Sequence, residues 1–235
     1  MTRIVTVALA ALLTVPTLAS AGKGSSPFPV YDNGGLPDLA IDSALLVSSL
    51  DTVTRTFSAG ACELDEGTIG GLGDRRLLRF DTAIVNGGDG DLVVGDPSDP
   101  ANPYHSVFVW SPCHQHYHIA GFTDYQLLNL DRSTAAFGHK QAFCLEDVIK
   151  YGRIPSHGYT CGYQGVTSSW ADLYSKYLSG QWIDITGVQD GDYILHVKIN
   201  AAETFGEGTN FYPNVFETRI HLPLPQTKGK NKGGG

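Results

Sequence analysis

The strongest chemical signal in this chain of 235 residues is a run of histidines at every second position. His114, His116 and His118 alternate with Gln115 and Tyr117. Successive side chains of a β-strand point to opposite faces, so the three imidazoles are predicted to share one face, about 6.6 Å apart at each step. Imidazoles that converge from one side suit copper, zinc, nickel or iron and leave positions open for water, oxygen or substrate. The spacing therefore predicts a metal site without choosing the metal.

The elements that must hold this site are predicted to be mainly β-strands. Short runs rich in Val, Ile, Leu, Tyr and Phe are separated by clusters of Gly, Asp, Asn and Pro, which is typical of a β-sandwich. The strand candidates are residues 77–80, 92–94, 107–110, 125–130 and 193–199. Residues 142–150 and 168–177 are the better candidates for short helices or irregular long loops. We therefore expect a β-sandwich with long loops and few helices.

The two ends of the chain differ in composition from its middle. Residues 1–21 combine a positive start, an apolar stretch broken by Pro16 and small residues at the end, which is the pattern of a signal peptide. The apolar stretch is shorter than the roughly 20 residues that span a bilayer. We predict a disordered lead-in over residues 22–35, one domain over residues 36–224 and a disordered Lys/Gly tail over residues 225–235. A secreted or periplasmic protein without a membrane span is expected.

Four cysteines, Cys62, Cys113, Cys144 and Cys161, fit an exported protein in an oxidising compartment. None of them forms a C-x-x-C pair, so neither a redox dithiol nor a zinc ribbon is indicated. Two disulfides are expected, and the residues alone leave all three pairings open.

The formal net charge is −8. An acidic surface repels nucleic acid and attracts cationic partners. The alternative, that acidity only keeps the protein soluble, remains open. Nucleic-acid binding is not expected.

Residues 110–118, with the letters WSPCHQHYH, resemble the copper motif of the lysyl oxidase family. Four further blocks resemble segments of the same family in the same order. The resemblance as a whole extends from about residue 36 to residue 222. These blocks are residues 76–80, 138–147, 181–186 and 191–195. A catalytic domain of the lysyl oxidase type is the fold and activity that the resemblance implies.

The resemblance also implies roles for individual residues. His114, His116 and His118 would bind copper, while Lys140 and Tyr174 would form the catalytic lysine tyrosylquinone cofactor. Taken without the resemblance, Lys140 would be a solvated lysine and Tyr174 an ordinary aromatic residue. With the cofactor, the family oxidises peptidyl lysine, or another primary amine, to an aldehyde with release of ammonia and hydrogen peroxide. A lysine-containing protein or peptide, or a small amine, and molecular oxygen are therefore the expected partners.

Some positions depart from the family pattern. A histidine that precedes the three copper-binding histidines in animal members is replaced here by Ser111, so it is not needed as a ligand. Asp124 is one candidate for the general base, although the family usually has a histidine nearby, and a role as a turn residue or ligand-orienting partner is more common.

A calcium site known in some members would fall on Asp38, the Leu39 carbonyl, Asn210 and Asn214. Two other positions of that site fall on Gly208 and Pro213, which offer no side-chain oxygen.

For the disulfides, the resemblance implies Cys62–Cys113 and Cys144–Cys161. Further cysteines of animal members are replaced here by Lys150, Trp170 and Gly180.

Two other functions fit part of the pattern. A copper-binding β-sandwich that never forms the quinone would need the histidines but neither Lys140 nor Tyr174. A zinc or iron enzyme would use the histidines for hydrolysis or oxygenation, but the sequence lacks the carboxylate-containing motifs common in such enzymes.

Overall fold

The computed structural model describes residues 26–138 and 144–224. The predicted leader over residues 1–21, the tail over residues 225–235 and Lys140 lie outside the described residues.

Strands dominate the described part of the chain. They are β1 (Leu39–Ile41), β2 (Asp51–Phe57), β3 (Gly73–Arg79), β4 (Thr82–Asn86), β5 (Leu92–Gly95), β6 (Phe108–Ser111), β7 (His116–Ile119), β8 (Thr123–Leu128), β9 (Thr134–Gly138), β10 (Ile149–Lys150), β11 (Gln164–Val166), β12 (Trp170–Tyr174), β13 (Trp182–Asp184), β14 (Gly191–Ile199) and β15 (Val215–Leu222). The helical segments are α1 (Ser43–Ser49), α2 (Cys62–Asp65) and a 3-10 turn at His105–Val107. Strand makes up 41% and helix 7%, which confirms the mainly β prediction.

The strands form antiparallel ladders. Two sheets have four strands, in the orders β1-β4-β12-β10 and β15-β14-β8-β9, and one has three strands in the order β13-β3-β2. The pairs β11-β5 and β6-β7 complete the set. Strand β4 is buried along its whole length because β1 and β12 pair with its two edges and other elements cover its faces.

The main core connects the strands that carry the candidate site. In β14, Leu195 and Val197 are buried while His196 between them is more exposed, the alternation expected of a strand with one face on the core. The same hydrophobic cluster contains Ile119 of β7 and Tyr174 of β12. Both the histidine strand and the tyrosine strand are therefore anchored to one packed core.

All five strand candidates from the sequence overlap strands of the structure, namely β3, β5, β6, β8 and β14. The helix alternative for residues 168–177 is wrong, because this segment contains β12. That strand is hydrogen-bonded to β4 on one side and to β10 on the other. Sheet pairing at long range decides its conformation, and this cannot be read from local propensity.

The lead-in prediction is also wrong for residues 26–35. Asn33 is buried, and its Nδ2 donates to the Pro37 carbonyl at 2.9 Å and to the Glu207 carbonyl at 2.7 Å. The ring of Phe28 lies 5.3 Å from that of Tyr151. Aromatic and amide anchors fix a segment whose Gly and Pro content is typical of a flexible one.

Neither helix in the described part of the chain has the length and apolar character that crossing a membrane requires.

Trp182 offers a test of the packing. It is 1% exposed on β13, and its indole N–H donates to the Thr68 carbonyl at 2.8 Å. Trp182→Ala is expected to lower the free energy of unfolding by about 3–5 kcal/mol, because it leaves a cavity and an unpaired carbonyl. Urea denaturation measures this. Val47→Ala, at a position that is 46% exposed on α1, should change the same quantity by less than about 0.5 kcal/mol. Equal effects of the two substitutions on the free energy of unfolding would contradict the assignment of Trp182 to the packed core.

Candidate metal and cofactor site

The three histidines do not all lie on one strand. His116 and His118 occupy β7, whereas His114 lies in the turn that joins β6 to β7. Within this turn Gln115 has a φ of +57° and its N–H donates to the Ser111 carbonyl at 2.9 Å. The prediction of a single extended face is therefore wrong for His114. The turn brings its imidazole back to the other two.

The rings nevertheless converge. Their centroids are separated by 5.8 Å between His114 and His116, 5.3 Å between His114 and His118, and 5.0 Å between His116 and His118. Imidazole nitrogens bind zinc and related metals at about 2.0–2.1 Å, so rings around one ion have centroids roughly 5 Å apart. The Nε2 atoms of His116 and His118 are buried. This donor set fits a single transition metal ion, copper included.

A cavity of about 260 Å³ opens beside the histidines. His114 and His116 line it together with Tyr174, the residue expected to form the cofactor. The remaining lining residues are Cys144, Glu146, Cys161, Asp172, Leu173, Leu178 and Ser179. Lys140 lies outside the described residues, but Cys144, which is four positions further along the chain, lines the cavity.

Strand pairing fixes the position of Tyr174. It is the last residue of β12, opposite Thr82 of β4, and it is 2% exposed. Asp172 precedes it by two positions on the same strand and is also 2% exposed. The period of a strand therefore places the hydroxyl and the carboxylate on the same face.

Burial in this cavity favours the protonated form of its acidic side chains. Burial raises the pKa of Asp172 well above its ordinary value, and the nearby Tyr174 hydroxyl offsets this only in part. Burial also raises the pKa of Glu146, and that of Tyr174, where the nearby Asp172 charge adds to the effect. Carboxyl groups with raised pKa values are suited to proton transfer near neutral pH.

A pH experiment checks the state of Asp172 in the metal-free protein. Because its pKa is raised on folding, the folded protein holds a proton that the unfolded chain releases, so this group lowers stability as pH rises above about 4. Asp172→Asn removes the titration. The stability of the variant relative to the unmodified protein should therefore increase as the pH rises above about 4 in urea denaturation. A stability difference between the two proteins that does not change with pH would contradict the raised pKa of Asp172.

Asp124, the base candidate from the sequence, is not among the residues that line the cavity. It lies on β8, and its carboxylate accepts a hydrogen bond from Gln126 Nε2 at 2.7 Å. Sequence reasoning missed Asp172 and Glu146. Asp172 lies two positions before Tyr174, and Glu146 lies two positions after Cys144. This spacing was the available signal.

Both disulfides have the pairing that the resemblance implies, Cys62–Cys113 and Cys144–Cys161. Cys144 and Cys161 lie with Glu146 close enough to hold a metal ion. Because both sulfurs are joined in a disulfide, neither is a thiolate that can bind one. This bridge instead forms part of the cavity wall.

The residues expected to bind calcium come together only in part. Buried Asp38 accepts hydrogen bonds from the Phe211 and Tyr212 backbones, and burial raises its pKa. Asn210 is exposed, and a cavity of about 460 Å³ lies between it and Asn214.

Glu207, which sequence reasoning missed, forms the centre of this second cluster. It is 8% exposed and accepts from the Leu39 N–H at 2.8 Å and from Asn214 Nδ2 at 2.5 Å. Two buried carboxylates fit a divalent cation, but both already accept hydrogen bonds. Calcium binding stays a prediction.

The described fold is mainly β, and it brings three imidazoles together beside a cavity that a buried tyrosine also lines, a donor set that fits a transition metal ion. A family model described as lysyl oxidase matches residues 51–228. The chain therefore belongs to the lysyl oxidase family.

Curated relatives include lysyl oxidase homolog 2 of Homo sapiens, 36% identical over 195 residues, which are 78% of this chain and 24% of the relative. Lysyl oxidase homolog 4 of Mus musculus is 35% identical over 216 residues, which are 87% of this chain and 27% of the relative. Lysyl oxidase homolog 2A of Danio rerio is 38% identical over 175 residues, which are 70% of this chain and 23% of the relative. The chain spans about a quarter of the length of these relatives.

Proposed function

We propose that this chain is an exported, copper-dependent amine oxidase of the lysyl oxidase type. It converts the ε-amine of lysine, or another primary amine, to an aldehyde. In the balanced reaction, amine, oxygen and water give aldehyde, ammonia and hydrogen peroxide. The observation that carries the proposal is the single cavity lined by His114, His116 and Tyr174.

His114, His116 and His118 are the residues that would hold copper, and Lys140 and Tyr174 are those that would be joined as lysine tyrosylquinone. When bound, these groups supply the redox chemistry that moves two electrons from the amine to oxygen. The burial of Tyr174 beside the histidines supports this assignment, because a tyrosine modified at the metal must lie close to it.

The proton that the substrate loses is accepted by a side chain of this protein. Asp172 lines the cavity, and its Oδ2 atom is buried without a hydrogen-bond partner among the described residues. We assign to this oxygen the acceptance of the proton that the carbon beside the amine loses. Burial raises the pKa of this carboxyl, so its ionised form is a stronger proton acceptor than an exposed aspartate.

Substrate binding is assigned to the rest of the lining. Half-buried Glu146 offers a carboxylate to the incoming ammonium group, and Leu173 and Leu178 offer apolar surface to an aliphatic side chain. The net charge of −8 favours cationic partners at longer range. Lysine in a protein or peptide, or a small primary amine, fits this lining.

The test is the formation of the cofactor. Metal-free protein treated with copper and air should gain a visible absorption band that phenylhydrazine shifts, and peptide mapping should find Lys140 covalently joined to Tyr174. Protein kept without copper is the control and should show neither result. If copper binds in stoichiometric amount while both residues are recovered unmodified, the chain is a copper-binding protein without the oxidase cofactor.

A further inference from the structure

A carboxylate that the sequence did not point to lies against the candidate metal site. Glu66 Oε2 is 3.1 Å from Nε2 of His114. Both side chains are partly shielded, with exposures of 17% for His114 and 20% for Glu66. A carboxylate at hydrogen-bond distance from a metal-binding imidazole fixes its ring orientation and raises its basicity.

Ser111 determines the orientation of this carboxylate. Its hydroxyl donates to Glu66 Oε1 at 2.9 Å and accepts a hydrogen bond from the His114 N–H at 3.2 Å. Ser111 is 6% exposed, so solvent competes weakly for these bonds. Both oxygens of Glu66 thus have defined partners, one being the His114 ring and the other a hydroxyl bound to the same residue's backbone.

The Cys62–Cys113 disulfide joins the two segments that carry these groups. Glu66 directly follows α2, and its N–H donates to the Cys62 carbonyl at 2.9 Å. Cys113 is the residue before His114. The bridge therefore holds a carboxylate and an imidazole that are 48 positions apart in the chain next to each other.

We propose that Glu66 is a positioning residue of the metal centre. Its carboxylate holds the His114 imidazole in the orientation that binds the ion, Ser111 holds the carboxylate, and the Cys62–Cys113 bridge holds the two segments together. This inference rests on the proposed function only in that the three histidines bind copper.

The experiment measures copper affinity and the electron paramagnetic resonance spectrum of bound Cu(II), neither of which depends on turnover. Glu66→Ala should weaken copper binding by about 10–100-fold in competition with a chelator, the loss typical of groups that orient metal ligands. Glu66→Gln keeps an oxygen acceptor, so its copper affinity should lie between that of Glu66→Ala and that of the unmodified protein. At saturating copper, the g and hyperfine values of Glu66→Ala should differ from those of the unmodified protein.

Asp65→Asn is the matched control, because Asp65 is the exposed neighbour on α2 and its loss changes the charge equally. Its affinity and spectrum should match those of the unmodified protein. Peptide mapping and circular dichroism verify that each variant keeps the Cys62–Cys113 bridge and the fold. Unchanged affinity and spectrum in folded Glu66→Ala overturn the inference alone. Absence of stoichiometric copper in the unmodified protein overturns the proposed function and the inference with it.

Discussion

His116→Ala is expected to abolish stoichiometric copper binding and, with it, formation of the quinone. His116 is the central member of the histidine run, with ring centroids 5.8 Å and 5.0 Å from those of the other two. Its removal leaves two imidazoles, and the affinity should fall by more than the roughly 100-fold that loss of a ligand-orienting group causes. Metal analysis after dialysis, together with phenylhydrazine absorption, measures both losses.

His221→Ala is the control for this experiment. His221 lies on β15, its side chain is 65% exposed, and its Nδ1 lies 2.7 Å from Asp192 Oδ1. This variant should keep one copper per chain and the full quinone yield. Full quinone yield in a copper-free His116→Ala protein would contradict the proposed route to the cofactor.

The convergence of the three histidines was predictable in part from the sequence because the histidine pattern is local. Three histidines at every second position place neighbouring imidazoles on one strand face, which is enough to suggest a shared metal ion. The detail that failed is the position of His114, which lies in a turn where Gln115 has a positive φ. Gln is not a residue that typically signals this conformation, so the turn could not be read from the letters.

Glu66 was not predictable because it acts over a long chain distance. Its contact with His114 joins residues 48 positions apart beside the Cys62–Cys113 bridge, and the residues alone left three disulfide pairings open. Asp172 is different, because its spacing of two from Tyr174 places it on the same strand face. That signal depended on assigning a strand to a segment which the sequence suggested as a helix or irregular loop.

A substitution at Tyr174 can distinguish metal binding from formation of the cofactor. Its ring belongs to the main hydrophobic core, while the three histidines are the proposed metal donors. Removing its hydroxyl leaves the ring in place, so the copper site should keep its shape. The hydroxyl lies near Asp172 and affects the pKa of both groups, and its loss should change the free energy of unfolding by only about 1 kcal/mol.

Tyr174→Phe is therefore expected to bind one copper per chain, with affinity near that of the unmodified protein, and to form no quinone. Phenylalanine lacks the phenol oxygen from which a quinone carbonyl is made, so neither the phenylhydrazine adduct nor the cross-link to Lys140 should appear. Tyr177→Phe is the matched control, three positions further on and 75% exposed, and it should retain both. A full quinone signal in copper-loaded Tyr174→Phe would assign the cofactor to another tyrosine, whereas loss of copper binding would show that the hydroxyl supports the metal site itself.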